Sequence, residues 1–336
     1  MSAEPRPANG PDPDPLPGAS RGREVAVTFD DLPVVSVTRG DLDSHRAITA
    51  RLLAAVRARG VPAVGFVNEE NLVKGGIAEP GRVELLREWL AAGFELGNHT
   101  FGHLDLHATP VERYEDDVVR GEPVTRGLLA ARGMPLRYFR HPYLRTGTSL
   151  PIKRRVEAFL AGRGYTIAPV TVYTEDYLFA AAHDRAELRG DRGTARRVAD
   201  EYVPYVVRQL EYFEALSRRL LGYEVRQILL LHANSINADR FDELAAMLVQ
   251  RGYRFVTLER ALEDPAYASP DEYAGPEGIS WLQRWALARG FGDEVLDGEP
   301  DPPRYVYSRS GFGVDGRWLR LWTRVLARLR GLSSGR

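Results

Sequence analysis

The sequence contains no cysteine. That excludes disulfides, thiolate metal sites and a cysteine nucleophile, while leaving the redox compartment open. Any metal site must therefore be built from His, Asp and Glu, and only seven histidines are available. Charge of one sign is also missing: 45 basic residues face 46 acidic ones, for a formal net charge of −1. The balance gives no reason to expect nucleic acid or an anionic membrane as partner. No apolar run approaches the length of a membrane span, so no transmembrane segment is expected. No internal repeat stands out. The first 22 residues, rich in Pro, Gly and Asp, lack the apolar core of a secretory signal and read as a disordered lead. As written, the chain is expected to be soluble and cytoplasmic; export would require a start further upstream.

What is present is ordinary globular composition, with 44% hydrophobic and 27% charged residues over 336 positions. Strands and helices alternate. A β-rich run through Val25, Val27 and Phe29 ends at Asp30-Asp31. A helical pattern of Ile48, Leu52, Leu53 and Val56 follows, stopped by Gly60. Residues 61–67 read as a buried strand, 83–90 as a helix and 94–96 as a short strand. One long helix is predicted from Pro110 to about residue 132. Strands are predicted at 137–139, 165–172 and 227–231, the last leading into a helix through Phe241, Leu244, Leu248 and Val249. The helix-rich stretch 195–221 contains Pro204, which predicts a kink or a split. This rhythm argues for an α/β fold with parallel strands, either a closed barrel or an open sheet. After Asp264 the composition turns to Pro, Gly, Asp and aromatics, with a helix near 281–289. The end, 318–330, reads as an amphipathic helix docked on the rest, with membrane-surface binding as the other reading.

Four predicted strand ends carry unusual residues, at the place where α/β enzymes assemble their sites. Thr28-Phe29-Asp30-Asp31 sets two carboxylates side by side, which is costly unless a cation or proton offsets them; alone, it reads equally as a solvated turn. His99-Thr100-Phe101-Gly102-His103 places two imidazoles at i and i+4, one face of a helical turn, with Asp105 and His107 just beyond. Together with the carboxylate pair, it suggests a two-His, one-Asp metal centre with open positions. Arg140-His141-Pro142-Tyr143 offers an arginine able to hold a carboxylate, or a surface arginine before a turn. Ile228-Leu229-Leu230-Leu231-His232 ends an apolar run in an imidazole, a proton donor near neutral pH or a satisfied core histidine.

The order TFDD, HTFGH, RHPY and LLLH resembles the polysaccharide deacetylase family of carbohydrate esterases, over about residues 24–262. The resemblance implies a distorted, TIM-like (β/α) barrel with fewer strands than eight, and a divalent metal, most often zinc. It implies Asp31, His99 and His103 as metal ligands, Asp30 as catalytic base and Arg140 as the arginine that orients it. It further implies Tyr143 as the backbone oxyanion donor, His232 as general acid, and Asp176, in Thr174-Glu175-Asp176-Tyr177, as the carboxylate supporting that acid. Two positions depart from the family pattern. Leu32 and Leu144 stand where glycines are usual, which implies a narrower cleft. Phe101, Tyr143, Tyr173, Tyr177 and Phe179 are candidates for stacking on sugar faces, though most aromatics are core.

The expected organisation is a lead (1–22), a catalytic domain (23–264) with a helical insertion, and a C-terminal extension (265–336) docked on the barrel. The expected function is metal-dependent removal of N-acetyl groups from amino sugars of an acetylated glycan, releasing acetate. O-deacetylation or hydrolysis of a small non-peptide amide on the same centre is the enzymatic alternative. A glycan-binding protein without turnover is the non-catalytic one.

Overall fold

The computed structural model describes residues 22–312. The lead expected at 1–22, apart from Gly22, and the amphipathic helix expected at 318–330 lie outside the described residues. Within them, the predicted parallel α/β architecture is present. The barrel strands are β1 (Arg23–Leu32), β2 (Ala63–Val67), β5 (Glu95–Asn98), β6 (Tyr138–Phe139), β7 (Thr166–Ile167), β8 (Val172–Tyr173), β9 (Gln227–His232) and β10 (Tyr253–Phe255); a small hairpin of β3 (Val73–Lys74) and β4 (Ile77–Ala78) lies apart. The order across the sheet is β7-β6-β5-β2-β1-β9-β8, with β10 added beside the start of β1, so the sheet has eight strands where fewer were expected, and every ladder is parallel. The central strands are apolar on both faces, as a sheet covered on both sides requires: all five residues of β2 are buried.

The helices are α1 (Leu42–Ala58), α2 (Pro80–Ala91), α3 (Val111–Arg120), α4 (Pro123–Ala130), α5 (Leu150–Gly162), α6 (Asp176–Leu188), α7 (Arg192–Leu221), α8 (Ser235–Gln250), α9 (Leu258–Leu262), α10 (Trp281–Ala288), α11 (Glu294–Asp297) and α12 (Arg304–Ser310). Local chemistry starts them. Asp41 caps α1 by accepting from Ser44 N at 2.8 Å, and Ile48, Leu52, Leu53 and Val56 form its buried face.

The two edge strands, β7 and β8, are consecutive in the chain, so four residues (168–171) carry it across the seam that would close the barrel. Expected as one strand over 165–172, this stretch is two dipeptide strands around a crossing. Backbone carbonyls there have no ladder partner and must be satisfied otherwise. From inside the barrel, Arg140 donates Nε to Ala168 O (3.2 Å) and Nη2 to Pro169 O (3.4 Å). From outside, Trp281 N donates to Val170 O (2.8 Å) and Ser280 Oγ to Thr171 O (2.7 Å). The seam is held from both faces, the outer one by the segment after residue 264.

Two predicted helices differ. The long helix from Pro110 breaks into α3 and α4 at Gly121-Glu122-Pro123. A Cβ at Gly121 would lie 2.5 Å from the carbonyl carbon of Thr100, so the break lets the loop after β5 press against the end of α3. Conversely, α7 runs unbroken through Pro204. An interior proline costs about 3 kcal/mol. Tyr202, Tyr205, Val206 and Leu210 are buried beside it, and each such side chain contributes roughly 1.5–3 kcal/mol. Packing therefore outweighs the proline.

Ser280 also caps α10 in a reciprocal box with Gln283. Ser280→Ala removes the cap and the bond to the seam together and is expected to destabilise the fold by about 1–3 kcal/mol. A lower denaturant midpoint with unchanged slope is the readout; an unshifted midpoint would mean that the seam does not need this bond.

Candidate metal centre

All the predicted site residues lie at the C-terminal ends of barrel strands or just beyond them. Asp30 and His232 are register partners on adjacent β1 and β9. Asp31 follows Asp30 with φ 61°, which turns its carboxylate away from the strand direction and toward the histidine loop. His99 follows β5 directly.

The donor atoms of Asp31, His99 and His103 lie within 4.8 Å of one another. His99 Nε2 is 3.6 Å and His103 Nε2 3.4 Å from Asp31 Oδ1. The expected helical turn is absent: residues 99–103 form an irregular loop, with Thr100 at φ 67° and His103 at φ 52°. Convergence comes from that loop being tied to α3, where Phe101 N donates to Asp117 O (3.0 Å) and Gly102 N to Asp117 Oδ2 (2.9 Å).

This set fits a divalent cation. Asp31 Oδ1 is buried with no hydrogen-bond partner, an orphaned acceptor aimed at the two rings. His99 Nδ1 lies 2.8 Å from Arg140 O, a carbonyl that can only accept, so Nδ1 carries the proton and Nε2 presents its lone pair. Burial, helped by His103, lowers the His99 pKa to about 3, so the ring stays neutral as a ligand must. The donors are borderline nitrogen and hard oxygen, suited to zinc and neighbouring divalent ions.

Around this trio the acid–base candidates are held from behind. Arg140, fully buried, donates Nη1 to Asp30 Oδ1 (3.0 Å) and to Thr28 Oγ1 (2.7 Å), with its guanidinium over the Phe66 ring. Burial pushes the Asp30 carboxyl above its usual range, against the pull of Arg140 and His232. His232 Nδ1 lies 2.6 Å from Asp176 Oδ1. Asp176 also accepts from His232 N (2.7 Å) and Asn237 Nδ2 (2.5 Å). Burial disfavours the imidazolium, but Asp176, with Asp31 and Asp30, outweighs it and pushes the His232 pKa up to about 10. A cation on Asp31 would withdraw part of that support and bring the group toward the range useful to an acid.

The turn after β6 carries Tyr143 (φ 57°) and Leu144 (φ 54°). Two consecutive left-handed non-glycine residues need outside support. Arg284, buried in the C-terminal segment, donates to Leu144 O and to Thr146 Oγ1 (2.7 Å). Gly278 presses so close that a Cβ there would sit 1.6 Å from Tyr143 O. Among the described residues, the five non-glycine residues at positive φ all lie at this site, Asp31 near the end of β1 and the other four in its loops.

Several contributors escaped the sequence reading. Thr28 was legible as the residue two before Asp30 on the same strand face. Asn237, held by Tyr202 OH at 2.6 Å, opens the helix after His232 but carries no motif of its own. Gly278 and Arg284 come from far along the chain and left no local signal. The two departures behave differently from one another. Leu32 is fully buried against Gly65 and turns away from the cleft, whereas Leu144 lines it. Of the aromatic candidates, Tyr143, Tyr173 and Tyr177 line the main cavity; Phe179 is core, and Phe101 sits under Arg120 in a neighbouring cavity. His107 is turned to Pro276 O and Gly147 N, and Asp105 to Arg145, away from the trio.

Asp31→Ala, His99→Ala and His103→Ala are each expected to abolish stoichiometric zinc retention after dialysis, read by elemental analysis. Unchanged zinc content in the variants would refute the ligand set.

Residues 18–158 match the family model described as polysaccharide deacetylase, a stretch that includes Asp30, Asp31, His99, His103, Arg140 and Tyr143. No curated protein matches the sequence. Among solved structures, similarity extends to the peptidoglycan deacetylase PdaC from Bacillus subtilis (20% identity, 72% of this chain and 91% of that one, TM-score 0.45). It extends also to a family 4 carbohydrate esterase from Streptomyces lividans (22%, 70% and 92%, 0.42) and a CE4 family pseudoenzyme from Bacillus anthracis (15%, 72% and 66%, 0.47). Over residues 18–158, the chain is similar to the polysaccharide deacetylase family.

Proposed function

We propose that this protein is a metal-dependent hydrolase that removes N-acetyl groups from amino sugars of a glycan or glycoconjugate, releasing acetate. The observation that carries the reading is the meeting of one carboxylate and two imidazoles beside a second, arginine-held carboxylate and opposite a carboxylate-backed histidine. Asp31, His99 and His103 would hold the cation. Bound there, it would act as a Lewis acid on the amide carbonyl and make water acidic enough to attack near neutral pH.

The remaining chemistry falls to the chain's own groups. Asp30, fixed by Arg140 and raised by burial, is placed to accept the proton of the attacking water. The backbone N–H of Tyr143 is the donor assigned to the oxyanion, and the turn that presents it is clamped by Gly278 and Arg284. His232 Nδ1 is occupied by Asp176, which leaves Nε2 to protonate the departing amine. Without that proton the amine is a poor leaving group.

Asp30→Asn is expected to keep its metal and lose about 10²–10⁴-fold in kcat; wild-type turnover would remove it as base. His232→Ala should fall by a similar factor with metal content unchanged. A wild-type kcat there would leave His232 a core residue.

Gly278→Ala forces the Tyr143 carbonyl to shift. It is expected to cost about 10²-fold in kcat, with zinc content and circular dichroism unchanged. Normal turnover would separate the oxyanion turn from catalysis. The broader test is acetate release from chitin, peptidoglycan and acetylxylan fragments, with and without chelator. Release from acetylxylan alone would favour O-deacetylation, and tight glycan binding with no acetate released would favour a binding protein.

A further inference from the structure

Two cavities meet at the candidate centre, and their linings differ in kind. The larger, about 490 Å³, opens from Asp30, His99 and His232. Past those groups its walls are mostly apolar, with Val35, Leu144, Tyr173, Ala180, Ala181 and Leu230, while Arg145, Glu175 and Asp184 also border it. The smaller, about 380 Å³, runs from Asp31 and His103 past Asn68, Glu70, Asn71 and Arg82. Val35 and Ser36, in the loop after β1, line both and form the partition.

The mouth of the larger cavity is apolar too. Val37, Tyr143 and Phe312 are 47%, 55% and 49% exposed, and all three border it. Only five other large hydrophobic side chains are comparably exposed among the described residues. Scattered apolar side chains are normal on a surface, but a cluster at one opening marks recognition. A cleft serving a purely hydrophilic glycan gains little from such walls, because sugar hydroxyls placed against them lose hydrogen bonds to water. The volume is that of a pocket for one small molecule rather than a track for a polymer. Much of the apolar wall (Tyr173, Tyr177, Ala180, Ala181, Leu230, Phe312) comes from residues beyond 158, outside the stretch that matches the family model.

We propose that the substrate is amphipathic: an N-acylated amino sugar, or a comparable hydroxylated amide, bearing an alkyl or aryl group next to the scissile bond. That group occupies the apolar cavity, and the hydroxylated part faces the polar one. The inference rests on the amide-hydrolase reading of the same site. Small residues on α6, Ala180 and Ala181, make the room, and Phe312 and Tyr177, in edge contact at 5.4 Å, close the far side. Each methylene buried there is worth about fourfold in binding.

The test uses the full chain with added zinc and two probe series. One lengthens the acyl group, from N-acetyl- through N-butyryl- to N-hexanoylglucosamine. The other keeps the acetyl group and lengthens the aglycone, from methyl through butyl to hexyl N-acetylglucosaminide. Turnover is followed as kcat/KM, and binding by calorimetry. The expected result is a rise of at least tenfold along one series, and the series that rises reports on which side of the amide the apolar group lies. Flat or falling values in both series, in turnover and in binding, overturn the inference even if acetate is released. Binding that rises with chain length without any turnover removes the hydrolase reading and leaves the apolar recognition standing. Val37→Asp at the half-exposed rim and Ala181→Phe inside are each expected to flatten the rising series to within threefold. A slope unchanged in both variants would place the apolar group elsewhere and overturn the assignment.

Discussion

Arg140 and Asp30 form an ion pair taken wholly out of water, and much of this architecture depends on that pair. The guanidinium is fully buried, and the carboxylate is only 2% exposed. A desolvated pair of this kind adds little net stability, yet removing one partner strands the other at a cost of about 3–5 kcal/mol. Arg140 gives each of its three side-chain nitrogens a partner by reaching in two directions. One branch reaches Asp30 and Thr28 on β1, and the other reaches the carbonyls of the seam between β7 and β8. The same side chain thus orients the proposed base and fastens the open edge of the barrel. Its backbone carbonyl adds a third duty by fixing the tautomer of His99.

That coupling explains why the site loops tolerate strained backbone. Asp31, Thr100, His103, Tyr143 and Leu144 all sit at positive φ without being glycine. Each costs of order 1–3 kcal/mol and persists only where neighbours over-determine it. The neighbours are identifiable. Asp117 and Gly121 of the α3 end hold the histidine loop, and Arg284 and Gly278 hold the turn of Tyr143. The segment after Asp264 is therefore a working wall of the site. It closes the seam from outside, clamps one loop and contributes Phe312 to the mouth of the cavity.

Within the described residues, no helix is long and apolar enough to cross a membrane. His232, proposed as the acid, and its carboxylate lie outside the residues matched by the family model, so their pairing rests on geometry: Asp176 begins α6, and its side chain meets both the backbone and the ring of His232.

The sequence by itself determined the alternation of strands and helices, and the ends at which chemistry collects. Apolar runs such as Val25 to Phe29 and Ile228 to Leu231 can be buried only as central strands, and polar residues that end them must emerge at one rim. The residues alone also brought the Asp30-Asp31 pair and the two histidines under suspicion together, and the family resemblance implied Asp31 as the carboxylate that joins His99 and His103. The sequence could not say how they converge, because the histidines meet through a loop shaped by Asp117 rather than through a helical turn. Nor could it foresee the break at Gly121, the unbroken run through Pro204, the inward turn of Leu32 or the parts played by Asn237, Gly278 and Arg284. Those were decided by contacts between residues tens to hundreds of positions apart, where steric approach and buried hydrogen bonds outweigh the local preferences that a linear reading can sum.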